Sequence, residues 1–138
     1  MYRFIVFILS LMLFAGCDQT PTGRDQLALM PDTMMADFGR QTFLQMQQQT
    51  PVSDDEAANQ EVQCVATQIL AHLANRFPGN ALPQRWEIVV FADPSPNAFA
   101  LPGGKIGVNE GLLAVATSDD QLAAVIGHEV GHVLARHS

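Results

Sequence analysis

The run His128-Glu129-Val130-Gly131-His132 constrains this chain more than any other feature. An α-helix turns by about 100° per residue, so two histidines four positions apart lie on one side, roughly 40° apart. Two such imidazoles suit one zinc ion, and the glutamate between them can take a proton from water that the ion activates. The pattern predicts the helix of a metal-dependent peptidase, with His128 and His132 as zinc ligands and Glu129 as the catalytic base. A pattern with three fixed positions also arises by chance, which leaves a packed helix without metal as the alternative.

The sequence around this motif favours a long helix. Ser118-Asp119-Asp120-Gln121 matches a capping box, and residues 122–136 follow without a proline. Apolar side chains cover one broad arc of this helix and small residues lie beside them: Leu122, Ile126, Val130, Val133 and Leu134, then Ala124, Gly127, Gly131 and Ala135. We expect a helix that is buried on most sides, in which the glycines let another element approach and the two histidines share a metal ion.

The N-terminus reads as an export signal. Arg3 precedes the apolar run Phe4–Phe14, which is shorter than the roughly 20 residues that a membrane span needs. Phe14-Ala15-Gly16-Cys17 is similar to a bacterial lipobox, so we predict a lipoprotein signal peptide over residues 1–17, ending at a lipidated Cys17. Asp18 resembles the signal that retains such lipoproteins in the inner membrane, facing the periplasm. An outer-membrane location and an ordinary cleaved signal peptide are the alternatives.

Composition excludes some function classes. The formal net charge is −7 with only 7 lysines and arginines, so a basic nucleic-acid footprint is absent and no nucleic-acid partner is expected. The 2 cysteines indicate no disulfide framework. We expect Cys64 to be a small buried apolar residue, because no basic neighbour would activate its thiol.

The remaining pattern predicts an α+β fold. After a tether over residues 18–31, one helix runs from Asp32 to about Gln49, with Met34, Phe38 and either Phe43 or Leu44 as its apolar stripe. A second helix is capped by Ser53 and runs to about Phe77, with Val62, Val65, Ile69, Leu70 and Leu73 directed inward. Three short strands and a short helix follow: Trp86–Phe91, Asn97–Leu101, Lys105–Asn109 and Glu110–Ala116. Gly103-Gly104 predicts a hairpin, and Pro102 places it at an edge of the sheet.

Several of these segments together resemble one family. The chain resembles the HtpX, BepA and CAAX-prenyl-protease family of zinc metallopeptidases, and in particular its periplasmic lipoprotein branch. The segments that carry the resemblance are Asn97–Ile106, Glu110–Leu113, Asp120–His132 and Ala135–His137. The resemblance is dense over residues 86–138 and weaker over residues 32–77. It implies a gluzincin-type, zincin-like fold in which a small sheet packs on the motif helix.

The resemblance also implies a third zinc ligand, a glutamate on a later helix. No such helix follows the motif here, so we expect residues 32–138 to be the N-terminal portion of the metallopeptidase domain, truncated after the motif helix. The spacing of Glu87, Asp93, Glu110 and His72 supports no ligand role. His137 lies roughly 140° from His132 around the helix, which favours a packing or supporting role. Ala135 and Ser138 stand where the metzincin pattern has a glycine and a third histidine.

The expected function is that of a membrane-anchored zinc metalloendopeptidase that hydrolyses peptide bonds. Protein or peptide substrates, the membrane and Zn²⁺ are its expected partners, and a role in envelope protein quality control follows from the resemblance alone. We expect substrate to pair with the edge strand at Asn97, Ala98, Phe99 and Ala100, with a purely structural hairpin as the alternative. A truncated, inactive lipoprotein homologue that binds unfolded or partner proteins and an incomplete gene fragment are the other readings of the chain.

Overall fold

The computed structural model describes residues 17–19, 25–27, 30–79 and 82–135; most of the predicted signal peptide, Arg136 and His137 lie outside these ranges. The class is α+β, as predicted. The elements in chain order are β1 (Cys17–Gln19), β2 (Asp25–Leu27), α1 (Asp32–Gln49), α2 (Glu56–Arg76), β3 (Glu87–Phe91), β4 (Ala98–Leu101), β5 (Lys105–Asn109), α3 (Glu110–Leu113) and α4 (Asp119–Leu134). β1 and β2 form an antiparallel pair that places Cys17, the predicted lipidation site, opposite Leu27 of the predicted tether. Within the described residues, no helix is long and apolar enough to cross a membrane.

The main sheet has the strand order β3-β5-β4, with β3 parallel and β4 antiparallel to the central strand. The predicted hairpin joins β4 to β5 through Pro102, Gly103 and Gly104, and both glycines have positive φ, 81° and 76°. This left-handed backbone favours glycine over any residue with a Cβ. Because β4 comes last in the strand order, it is an edge strand, as the sequence predicts.

The opposite edge of the sheet is partly covered. The loop between α1 and α2 runs along β3, where the Ser53 amide donates to the Val90 carbonyl at 2.8 Å and the Ala92 amide donates to the Pro51 carbonyl at 2.9 Å. These bonds satisfy main-chain groups that an edge strand otherwise leaves exposed. Among the described residues, no strand pairs with the outer side of β4.

One face of the sheet carries the main core. Successive strand residues point to opposite faces, so Val90, Ala98, Ile106 and Val108 share one face. They form one buried cluster with residues of α2, α3 and α4: Val62, Val65, Ala66, Leu112, Leu122, Ile126, Val130 and Leu134. The motif helix is thus held on the sheet through apolar burial, the largest favourable contribution to folding.

The other face is covered by α1. Phe43 is fully buried and makes edge-on contacts with Phe91 and Phe99, at ring-centroid distances of 6.0 and 6.2 Å. The Phe99 ring lies over Gly107, where a Cβ would overlap it. The chain is a three-layer arrangement of α1, the sheet, and α2 with α4.

Four sequence-based expectations about these elements are wrong in detail. On α1 only Phe43 of the predicted stripe is buried, whereas Met34, Phe38 and Leu44 are exposed, because the sheet covers the side of the helix that carries Gly39 and Phe43. The N-cap of α2 is Asp55, which accepts from the Ala58 amide at 3.1 Å; Ser53 lies two residues earlier, where its amide pairs with β3. α3 is shorter than predicted. Cys64 is exposed, since it lies beside Val65 on the side of α2 that faces away from the core.

Candidate metal centre

The start of α4 is fixed by side-chain caps. The Ser118 hydroxyl accepts from the Gln121 amide at 3.3 Å, and the Gln121 side chain accepts from the Thr117 amide at 2.8 Å. Asp119 and Asp120 occupy the first turn, where negative charge is favoured by the helix dipole. The predicted capping residue at this helix is therefore confirmed.

One face of α4 is fully seated on the core. Leu122, Ile126 and Val130 are each 0% exposed, and Leu134 is 6% exposed. The sequence predicts that α4 is buried on most sides, and this prediction is wrong for the described residues. Ala124, His128, Gly131 and His132 are exposed. The sheet and α2 cover only the side that carries the four apolar residues, and a Cβ on Gly127 or Gly131 would meet no described atom within 4 Å.

The two motif histidines converge on one point. Their Nε2 atoms are 2.9 Å apart, and their rings meet edge to face with centroids 4.4 Å apart. Two nitrogens bound to a tetrahedral zinc ion with bonds of about 2.0–2.1 Å stand roughly 3.3 Å apart. A small rotamer change in either ring gives that separation, so this donor pair fits a shared zinc ion.

Glu129 lies between this exposed face and the buried stripe of α4. The residue is half-buried and follows His128 directly, roughly 100° around the helix. α4 packs against the edge strand β4 as well as against α2. The helix therefore carries the two histidines and the Glu129 carboxylate on adjacent sides, and it packs against a strand whose outer side pairs with no described strand.

The other acidic residues near the motif in sequence are engaged elsewhere. Glu87 forms an ion pair with Lys105 at 2.6 Å, and this interaction holds the pKa of Glu87 below its usual value despite some opposing desolvation. Asp93 accepts from the Ser95 hydroxyl and amide, which lowers its pKa. Glu110 accepts from the buried Ser53 hydroxyl. In the described ranges, no three His, Cys, Asp or Glu residues are grouped to hold a metal ion.

The predicted substrate-binding residues lie at the free edge of the sheet. The Asn109 amide donates to the Asn97 carbonyl at 2.9 Å, so this carbonyl points toward β5. The direction of the main-chain groups alternates from one residue to the next along an antiparallel ladder. The main-chain groups of Ala98 and Ala100 consequently point away from β5, whereas those of Phe99 pair with Gly107.

A small polar network, missed by the sequence reasoning, fixes the start of β4. The buried Asn109 side chain donates to the Ser95 hydroxyl at 2.9 Å, and that hydroxyl donates to Asp93 at 2.5 Å. The Gly111 amide donates to the Asp93 carbonyl at 2.9 Å. The Asp-Pro-Ser-Pro turn was the available signal, since aspartate commonly bonds the backbone two residues on.

Comparison with known proteins gives a consistent result. Residues 56–138 match the model of peptidase family M48. The mitochondrial metalloendopeptidase OMA1 of Schizosaccharomyces pombe is 56% identical over 54 residues, which are 39% of this chain and 16% of that protein. The OMA1 of Danio rerio is 31% identical over 134 residues, 94% of this chain and 28% of that protein. The beta-barrel assembly-enhancing protease of Escherichia coli is 25% identical over 120 residues, 87% of this chain and 23% of that protein. The chain spans less than a third of the length of each of these three relatives.

Proposed function

Because the chain belongs to peptidase family M48, we propose that it supplies the catalytic helix of a membrane-anchored zinc metalloendopeptidase. The observation that carries this proposal is the convergence of the His128 and His132 Nε2 atoms, 2.9 Å apart, beside the half-buried Glu129. The three residues lie on one rigid helix whose opposite side is fully buried, so their relative positions are set before substrate arrives.

His128 and His132 would hold the zinc ion through their Nε2 atoms. A bound zinc ion would supply a Lewis acid to the scissile carbonyl and to the attacking water. Catalytic zinc sites usually have three protein ligands, and the described residues offer two. A third ligand would come from outside them, and we propose the glutamate of a later helix that the family resemblance implies.

Glu129 would move the proton. A carboxylate oxygen of Glu129 accepts a proton as the water oxygen bonds to the carbonyl carbon of the substrate. The same carboxyl then gives that proton to the amide nitrogen as the carbon–nitrogen bond breaks, which releases an amine and a carboxylic acid whose remaining proton passes to the amine or to solvent. Its half-buried position, one residue from a metal ligand, suits a group that acts on water and not on the metal.

The edge of β4 would bind the substrate as an added strand. The outward main-chain groups of Ala98 and Ala100 offer two donors and two acceptors, and the other edge of the sheet is occupied by residues 51–53. Pairing through the main chain gives weak sequence preference, which suits a protease of misfolded or misassembled proteins. Asn97, Ala98, Phe99 and Ala100 are the proposed contact residues.

The proposed location is the cell envelope. A lipid on Cys17 would tether the protein to the inner membrane with Asp18 as the retention signal, facing the periplasm; the outer membrane is the alternative. The name of the Escherichia coli relative, a beta-barrel assembly-enhancing protease, supports a role in envelope protein quality control. The OMA1 relatives are mitochondrial by name, so the compartment is proposed from the N-terminal sequence of this chain.

A second candidate is a lipoprotein that binds unfolded chains without cleaving them. The observation that favours it is the lack of a third metal-ligating residue near His128 and His132 in the described ranges. The two candidates differ in zinc content and in peptide-bond cleavage, and both can be measured on the same preparation.

The test is Glu129→Gln in the complete protein. We expect the variant to retain the zinc content of the wild type, measured by mass spectrometry, and to lose cleavage of unfolded casein by at least about a hundredfold, because the proton acceptor is gone. Glu61→Gln, a half-buried glutamate on α2, is the matched control and should cleave normally. Cleavage by Glu129→Gln at the wild-type rate would remove Glu129 from the mechanism, and a wild type without zinc or cleavage would favour the binding protein.

A further inference from the structure

The exposed side of α1 carries an apolar surface that the proposed function does not use. Met34, Phe38 and Leu44 are 55%, 62% and 47% exposed, and they fall within an arc of roughly 120°. Met30, just before the helix, is also exposed. These four residues are called the α1 patch. Large apolar side chains grouped on one side of a helix indicate a contact with another apolar surface.

The polar residues around the α1 patch carry little charge. Gln41, Gln45 and Gln48 are exposed between its members. The neighbouring Asp37 and Arg40 neutralise each other through an ion pair at 3.2 Å. A surface of apolar and uncharged side chains can approach an anionic bilayer without the repulsion that an acidic surface meets.

The charged residues of the helices are also distributed so that the α1 side of the sheet is less negative than the opposite side. α1 contains two acidic residues and one arginine, whereas α2 and α4 together contain five acidic residues and one arginine: Glu56, Glu61, Asp119, Asp120, Glu129 and Arg76. α1 lies on one face of the sheet, and α2 and α4 lie on the other. These residues give −1 for α1 (one positive against two negative) and −4 for α2 with α4 (one against five), so an anionic membrane repels the α1 side of the sheet less than the opposite side.

The N-terminal hairpin places the proposed anchor close to α1. Cys17 pairs with Leu27, so the two backbones are adjacent. Only five residue steps separate Leu27 from Asp32 at the start of α1, and they span at most about 17 Å. Acyl chains on Cys17 would therefore hold the α1 patch beside the bilayer surface.

We propose that the α1 patch lies on the membrane surface to which Cys17 tethers the chain. This inference rests on the proposed lipid anchor. It gives the protein one orientation, with the membrane, α1, the sheet and the motif helix in successive layers. His128 and His132 then face the aqueous side, and the substrates are chain segments that extend from the membrane or lie in solution.

The experiment compares one fluorescent probe at two positions of the complete, lipidated protein in vesicles of phosphatidylethanolamine and phosphatidylglycerol. An environment-sensitive thiol probe is attached either to the natural Cys64, which is exposed on the opposite layer, or to Phe38→Cys in a Cys64→Ser background. We expect blue-shifted emission, quenched by lipids with brominated acyl chains, at position 38 and not at position 64. Met34→Ser with Leu44→Ser should reduce the shift at position 38, which shows that the patch and not the probe inserts.

Equal emission at the two positions, shifted or unshifted, would overturn the proposal; unshifted emission at both would point to a protein partner for the α1 patch. Circular dichroism checks folding, and Met34→Cys is the second labelling position if Phe38→Cys does not fold. Mass spectrometry of Cys17 tests the anchor separately. If no diacylglycerol is found there, the anchor proposal fails. In that case residues 1–17 are replaced by a histidine tag that binds nickel-chelating lipid. The same comparison of probe emission on this chain then tests whether the α1 patch lies on the membrane.

Discussion

At the scale of the residue, Gly107 shows how tightly the α1 side of the sheet is packed. A Cβ at this position would overlap the ring of Phe99, which contacts Phe43 and Phe91 in turn. We expect Gly107→Ala to lower the free energy of unfolding by roughly 1–3 kcal/mol, the usual cost of overpacking. Urea denaturation measures it.

Two variants control that experiment. Phe99→Leu should recover part of the loss when combined with Gly107→Ala, because the residues are in contact and their effects are not additive. Gly127→Ala adds a Cβ where no described atom lies within 4 Å, and in a helix it should stabilise by up to about 1 kcal/mol. A fully tolerated Gly107→Ala would contradict the observed position of the Phe99 ring.

The ion pair between Glu87 and Lys105 predicts a pH dependence. Lys105 holds the folded-state pKa of Glu87 below the ordinary value of 4.5. The stabilisation from this pair is therefore complete above about pH 4.5 and is lost as the pH falls through the folded-state pKa. Glu87→Gln should flatten the decline of the urea midpoint in that acidic range. The effect is small because Glu87 is 43% exposed. Lys105→Met should flatten it equally, and an unchanged decline in both variants would rule out the pair as the cause.

At the scale of the element, the proposed substrate strand can be tested through its main chain. Ala100→Pro removes a donor that points away from β5, so the ladder within the sheet remains intact. We expect a fall in kcat/KM of about tenfold for the complete protein, equivalent to one lost hydrogen bond. Ala100→Gly keeps the donor and is the control. Wild-type kcat/KM in a folded Ala100→Pro variant would leave β4 as a structural hairpin.

The elements themselves were largely predictable, and the reasons differ from one to the next. The hairpin follows from Gly103 and Gly104, since few other residues adopt their positive φ. The buried side of α1 was not predictable from apolar spacing, because this helix has large apolar residues on both sides. Gly39 was the available signal: a Cβ there would overlap the Pro102 carbonyl, so the glycine marks where helix and sheet approach.

At the scale of the whole molecule, α4 also shows that the sequence pattern of one helix does not predict which of its sides are covered. Its amphipathic pattern predicted the buried stripe correctly, but the four small residues on its other side suggested a covered helix. In the described residues that side is exposed or half-buried and carries both histidines. Which surfaces are covered depends on residues distant in sequence, here the sheet and α2, and periodicity within one helix contains no information about them.

The zinc content of the complete protein tests the central claim most directly. We predict one zinc ion per chain in the wild type, and loss of both zinc and casein cleavage in His128→Ala and in His132→Ala, because each removes one of two converging ligands. His72→Ala, at an exposed histidine on α2, is the matched control and should keep both. Retention of stoichiometric zinc and cleavage by His128→Ala or His132→Ala would show that the metal centre lies elsewhere.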